Sequence, residues 1–331
     1  MGSFARTTRR TFGLAAASAL IASFSSPLLA AAPNWPTKQV TIVVPFTAGG
    51  STDVVARMLG QKLGEMWGQT VVIDNRAGAG GNIGTSLVAK APADGHTLLM
   101  ASGSIFTVNP HLYKKLPFQV SEFAPVTKVA SGPMLVVVPS SYNVKDLQEL
   151  IARAKAAPRT INFGSAGLGS QVHMAGENFA NAAGIDMVHV PYKGEAAAYT
   201  DLMAGQVQVV VGNIAAASNL VNGGRLKALA VTGKERSRMM PNVPTVSESG
   251  VPGFENTGWF GFMAPAGTPK EVIDKIQRDT AKVLASPEVQ AKLADQGMTA
   301  VADKPEEFAA AIEQESRKWA SVVRDRKLSA E

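Results

Sequence analysis

The stretch Val40-Thr41-Ile42-Val43-Val44-Pro45-Phe46-Thr47-Ala48-Gly49-Gly50-Ser51-Thr52-Asp53 decides the fold. Its apolar run, Val40 to Val44, reads as a buried strand. A proline, two glycines and a hydroxyl pair follow, and then Val54, Val55, Met58, Leu59, Leu63 and Met66 recur at helical spacing. A strand that breaks into a Gly-rich loop at a helix start leaves backbone N–H groups without intrahelical partners. With the positive end of the helix dipole, those donors form a seat for an anion. Phe163-Gly164-Ser165-Ala166-Gly167-Leu168-Gly169-Ser170-Gln171-Val172-His173 repeats the design further along the chain. Two such loops facing each other would clamp a small acidic ligand.

The intervening elements alternate. A helix over 53–67, a strand over 70–74, a helix over 85–91 and a strand over 97–101 follow the first strand, which predicts a mostly parallel, doubly wound sheet. Ligands in such sheets sit beyond the carboxyl ends of the strands, where the Gly49 loop and Ser102 lie. A second series begins with a strand over 134–138, bounded by Pro133 and Pro139. Further strands read over 160–163, 187–190, 207–211 and 226–231, and helices over 144–156, 171–183, 196–204 and 215–222. Asn213 sits at one of these strand ends. A strand-like run at 259–264 is then followed only by helices, over 270–285, 287–296 and 304–324. These are expected to return and cover the first series, which would make that domain discontinuous. The predicted division is 33–134 plus 260–331 for one lobe and 135–259 for the other, with hinge strands near 134–139 and 259–265.

A chain of 331 residues favours more than one core. The net charge is +6, of which Arg6, Arg9 and Arg10 supply three charges within an acid-free leader. The remainder is spread without basic runs, which argues against a nucleic-acid partner. Residues 1–32 read as a signal peptide cleaved near residues 30–32. Arg9-Arg10-Thr11-Phe12 allows either a twin-arginine or a plain export route. Export to a bacterial periplasm is expected, and the lack of cysteine rules out disulfide staples and a lipoprotein anchor.

Three tempting patterns point elsewhere. Gly78-x-Gly80-x-x-x-Gly84 departs from the dinucleotide fingerprint and lacks its downstream acid, so a turn with positive φ is expected. Ser170 and His173 lie one helical turn apart with no evident acid and no nucleophile elbow, which argues against a hydrolase. His96, His111 and His189 lack metal-ligand spacing, so neither a metal nor a cofactor is expected. Asp53 reads as a residue that fixes the first loop, because a carboxylate would repel an acidic ligand. His173 either donates to a ligand or caps its loop.

Several motifs occur in order: Pro45-Phe46-Thr47-Ala48-Gly49-Gly50-x-x-Asp53, Asn75-Arg76-x-Gly78-Ala79-Gly80-Gly81-Asn82-Ile83-Gly84, Pro92-x-Asp94-Gly95-x-Thr97-Leu98-Leu99, Val188-His189-Val190-Pro191-Tyr192-Lys193-Gly194, Leu229-Ala230-Val231-Thr232 and Pro244-Thr245-Val246-x-Glu248-x-Gly250. Through them the chain resembles the Bug family, the TctC-like periplasmic solute-binding receptors of tripartite tricarboxylate transporters. The resemblance implies a type II periplasmic-binding-protein fold, two α/β lobes closing over a ligand. It implies a monomeric receptor, not an enzyme, that delivers a small carboxylate, an aromatic or aliphatic dicarboxylate, to membrane permease subunits. A sensor that presents the ligand to a signalling partner is the alternative. Matching the motifs puts Phe46, Thr47, Ala48, Gly49 and Gly50 at the ligand from one lobe, and Ser165, Gly167, Gly169, Ser170, Gln171 and His173 from the other. Ser102 and Asn213 lie at neighbouring strand ends. Two departures alter the polarity of the pocket: Gly212 stands where relatives often carry Asp, and Thr47 where Ala or Pro is frequent. Neither Gly-rich loop contains Arg or Lys, so neutral donors must act together there.

Overall fold

The computed structural model describes residues 1–3, 34–325 and 328–330. The leader read over residues 1–32 lies, after its first three residues, outside that range. In chain order the elements are β1 (Val40–Val44), α1 (Ser51–Trp67), β2 (Val71–Asn75), α2 (Asn82–Ala89), β3 (Thr97–Ser102), α3 (Gly103–Thr107), α4 (Asn109–Leu112) and β4 (Phe123–Pro139). Then come α5 (Leu147–Ala156), β5 (Asn162–Ser165), α6 (Gln171–Ala183), β6 (Val188–Pro191), α7 (Glu195–Met203), β7 (Val209–Asn213), α8 (Ile214–Asn222) and β8 (Leu226–Val231). The chain finishes with β9 (Thr257–Pro265), α9 (Lys270–Leu284), α10 (Pro287–Ala294), β10 (Thr299–Ala300) and α11 (Pro305–Asp325).

The strands follow the order β2-β1-β3-β9-β4-β7-β5-β6, with β10 and β8 also paired to β4. The two wings are parallel: β1 lies between β2 and β3, and β5 between β6 and β7. The centre is not. β9 runs antiparallel to both β3 and β4, and β4 antiparallel to β7 and β8. The expectation of a mostly parallel sheet therefore holds for each wing and fails between them, because the chain has to cross from one α/β half to the other.

The crossing strand is far longer than the 134–138 run suggested. β4 holds β9 along Phe123 to Pro133 and then exchanges it for β7 and β8 from Met134 onward. Pro133 lacks an N–H and sits where the partners change, and the register against β9 shifts next to Pro125. Prolines are tolerated at such irregularities, although they look like strand ends in a sequence.

Each half has its own apolar layer. In the first, Val55, Leu59 and Leu63 of α1 pack with Ile42, Leu98 and Phe262, and Ile273 and Ile276 of α9 close it. In the second, Leu147 and Leu150 of α5 and Phe179 of α6 pack on Phe163, Val209 and Leu229. A further cluster continues from Leu99 and Met263 to Leu135, Val137 and Val210, so apolar packing runs unbroken across the centre. The terminal helices do return onto the first half. Trp67 Nε1 of α1 donates to Asp279 of α9 at 2.9 Å, and Lys62 meets Glu288 of α10 at 2.8 Å.

Helix α11 is seated on β9 through Gly261. A Cβ there would lie 2.5 Å from Phe308 Cζ and 3.0 Å from the Thr127 carbonyl oxygen. Phe308 is fully buried, so it has nowhere to go. Gly261→Ala is expected to cost about 1–3 kcal/mol, seen as a lower urea midpoint with an unchanged slope. An unchanged midpoint would show that α11 can lift off the sheet freely.

Candidate functional site

Loops at the ends of β1, β3, β5 and β7 meet between the two halves. The first follows β1. Gly50 caps α1 without a side-chain bond, so the amides of the first turn are left to the cleft. Asp53 anchors the loop from below, as the sequence suggested. Its Oδ2 accepts from Gly49 N at 3.0 Å and from Arg57 Nε at 2.9 Å, and its Oδ1 accepts from Asn75 Nδ2 at 3.0 Å. Burial pushes the Asp53 carboxyl up, but the bonds from Arg57, Gly49 and Asn75 outweigh it and hold the group below its usual range.

The second loop, between β5 and α6, is tied internally. Ser170 caps α6 by accepting from His173 N at 3.2 Å, and its own N–H donates to Gly167 O. His173 is buried and takes the Gly169 N–H on Nδ1 at 3.2 Å. Ser165 Oγ accepts from Gly167 N and lies 2.6 Å from His189 Nε2. The His173 and His189 rings stack with centroids 3.9 Å apart, and the Phe163 ring lies parallel to His173. Gly167 and Gly169 have φ of +114° and +78°, a conformation that glycine adopts without strain. Since Ser170 Oγ bonds a backbone amide and the His173 ring bonds Gly169, Ser170 and His173 do not form a serine–imidazole couple.

The cavity enclosed between these loops measures about 10 Å³, the space of one water molecule. Of the residues chosen from the sequence, Phe46, Ser102, Ser170, Gln171 and Asn213 line it, as does Gly50. Thr47, Ala48, Gly49, Ser165, Gly169 and His173 do not reach its wall. Ser51, Thr52, Ala166, Val172 and Glu195 line it and were not chosen. No Lys or Arg lines it, and Glu195 is its one ionisable side chain among the described residues. Ser102 Oγ and Gln171 Oε1, both buried, have no hydrogen-bond partner. Thr47 Oγ1 is also buried without a partner, packed against Gly194 of the other half.

Glu195 falls just outside the helix over 196–204 expected from the sequence. The helix starts one residue earlier, and the signal available was an acid leading an otherwise apolar turn. Its carboxylate accepts from Ser51 Oγ at 2.9 Å, Asn213 N at 2.6 Å and Tyr199 OH at 3.2 Å. Asn213 Nδ2 donates to both of its oxygens, at 3.2 and 3.1 Å. Burial raises the carboxyl above its ordinary range despite these donors. Burial and the Glu195 charge raise the Tyr199 phenol well above its own.

The Ser51–Glu195 bond joins the two halves, as does Tyr113 OH donating to Leu168 O at 2.6 Å. Gly78-x-Gly80-x-x-x-Gly84 belongs to this contact. Gly80 takes φ of +63°, and any Cβ on it would strike Leu168 O. The glycines permit a turn and a close approach of backbones. Among the described residues no His, Cys, Asp and Glu groups are arranged to hold a metal ion, and no helix is long and apolar enough to cross a membrane.

His189 carries a pH signature. Burial, with the neighbouring His173, pulls its pKa down to about 3. The unfolded chain protonates this histidine from about pH 6.5 downward, while the folded chain does not. Stability is therefore present above that pH and falls with acidity, by up to about 1.4 kcal/mol per pH unit. Urea unfolding of the wild type and His189→Phe from pH 7 to pH 4 should show this slope in the first and its loss in the second. Parallel curves would place the protonation elsewhere.

A family model described as "Tripartite tricarboxylate transporter family receptor" matches residues 55–328. The chain is 37% identical to Rpa4515 of R. palustris, whose structure was solved with adipate. The two superpose with a TM-score of 0.86 over 89% of this chain and 99% of that one. It is 34% identical to the periplasmic binding protein BugD, with a TM-score of 0.85 over 90% of this chain and 100% of that one. MatC from Rhodopseudomonas palustris, with bound malate, is 31% identical, with a TM-score of 0.83 over 87% of this chain and 100% of that one. The fold is thus the two-lobe fold of periplasmic solute-binding proteins, whose members here are binding proteins, not enzymes. With its Gly-rich loops facing each other between two α/β halves, the chain belongs to the tripartite tricarboxylate transporter receptor family, the family of the Bug proteins.

Proposed function

We propose that this receptor captures a small carboxylate between its lobes in the periplasm, as a monomer, and delivers it to the membrane subunits of a tripartite tricarboxylate-type permease. The proposed lobes are those read from the sequence, 33–134 with 260–331 and 135–259. One observation carries the reading: the cavity is walled by the first turns of α1 and α6, one from each half, together with buried polar atoms that lack a partner. Helix starts attract anions through free N–H groups and the helix dipole. Adipate and malate in the relatives Rpa4515 and MatC support a carboxylate as the cargo.

With no cation in the wall, each neutral donor contributes on the order of 1 kcal/mol net, so both loops have to act at once. The cavity of about 10 Å³ is too small for a dicarboxylate, so the lobes have to part for entry and close again around the ligand. Phe46 offers an apolar face for the ligand's body.

Ser102 isolates the binding role from folding, because its buried hydroxyl bonds nothing in the folded chain. Calorimetric titration with succinate, adipate, malate and aromatic dicarboxylates should give at least one ligand. Ser102→Ala should bind that ligand about 5–10-fold more weakly while unfolding at the wild-type temperature or above. If none of these carboxylates gives a heat signal, the carboxylate reading is wrong.

A further inference from the structure

Glu195 gives the cleft a polarity that a simple anion seat lacks. Its carboxyl is buried in the wall and is not balanced by any Lys or Arg there. The two oxygens differ in what they face. Oε1 is bonded by Asn213 N and Tyr199 OH, which belong to its own half. Oε2 takes Asn213 Nδ2 from its own half and Ser51 Oγ from the first turn of α1 in the opposite half. When the lobes separate, Ser51 leaves with α1, and Oε2 is the oxygen turned to the opening.

Room for this arrangement comes from Gly212. A Cβ at that position would lie 2.7 Å from Glu195 Oε1 and would strike the Tyr199 hydroxyl. A glycine at the end of β7 thus lets the glutamate fold across Asn213. Elsewhere in the same wall, Ser102 Oγ is a donor without a partner, and the first turn of α6 begins at Ser170. The cavity therefore has donors for an acid group and, separately, a carboxyl oxygen that accepts.

Resting on the carboxylate reading above, we propose that Glu195 is a specificity-determining residue: it makes the receptor select acids that also carry a hydrogen-bond donor, an ammonium or hydroxyl group, placed to meet Oε2. A second ligand carboxylate at that point would meet the Glu195 carboxyl oxygens in a wall without Lys or Arg and would be disfavoured. A hydroxyl or ammonium would replace the Ser51 bond with a charge-assisted one. An analogue lacking the donor leaves Oε2 with Asn213 Nδ2 alone wherever the ligand keeps Ser51 away, so the matching donor is favoured.

Matched pairs test this: succinate against malate and aspartate, and adipate against 2-aminoadipate, titrated by calorimetry at neutral pH into the full mature chain. In the wild type, the donor-bearing member of a pair should bind tenfold or more tightly than the donor-free one. Glu195→Gln, which keeps the size and exchanges one accepting oxygen for an amide nitrogen, should cut that ratio to about threefold or less. If the wild type binds donor-free and donor-bearing acids equally, the carboxylate reading stands and the role of Glu195 falls. The same holds if Glu195→Gln retains the full ratio. If no member of either series binds, the proposal falls together with the carboxylate reading. The wild-type ratio needs no substitution, so a poorly folded variant cannot shelter the idea.

Discussion

The antiparallel ladder of β4 against β9 is the constraint on which the rest of the molecule depends. β4 pairs with β9 along its first part and with β7 and β8 along its last, so one strand is shared by both halves of the sheet. β9 then hands the ladder on to β3 and the first parallel wing. Because the wings are joined edge to edge through these strands, the carboxyl ends of β1, β3, β5 and β7 gather on either side of one cleft. Trp259, at the start of β9, donates to Glu315 of α11 at 2.6 Å and packs edge-on against Phe308. Those contacts brace the start of β9, beside Gln171 of the second Gly-rich loop.

What the cleft contains follows from how its loops are built. Most of the side chains in the two loops are consumed in holding the loops in shape: Asp53 under the first, and Ser165, His173 and His189 under the second. The backbone amides at the helix starts, the Ser102 hydroxyl and the Glu195 carboxylate are left to face the cavity. The proposed seat is weak on one side and needs both sides to close, which would link affinity to lobe closure. It also makes the buried glutamate costly unless its donors stay in place, since an unpaired carboxylate in that setting would be strongly disfavoured. Asn213 supplies three of those donor contacts, so its place at the end of β7 serves the glutamate as well as the cavity wall.

Much of this is legible in the sequence. β1, α6 and β8 fall on the residues read from hydrophobic pattern alone, because each is a clean apolar run or an amphipathic turn series bounded by turn residues. β4 was not, because Pro125 and Pro133 look like strand ends, and only the change of pairing partners explains their tolerance. Two short helices, α3 and α4, have no counterpart among the elements read from the sequence, since their few residues show no helical period and their turns are held by tertiary contacts. At the site, spacing located both Gly-rich loops but not which side chains turn inward. Ser165 and His173 share a loop with Ser170 and Gln171, yet only the latter pair reaches the cavity. Glu195 and Ser51 are 144 positions apart, and nothing local announces that they meet.

The central claim is that ligand capture is closure of two lobes about the β4–β9 crossing. The chain has no cysteine, so a labelled pair can be introduced cleanly at two exposed helical positions, Gln61 on α1 and Asn181 on α6. Pulsed electron–electron distance measurement on that pair, with and without a carboxylate shown to bind by calorimetry, tests the claim directly. The account predicts a broad, longer distance distribution in the free protein that collapses to a narrow, shorter one at saturation. Identical distributions at saturating ligand would contradict it.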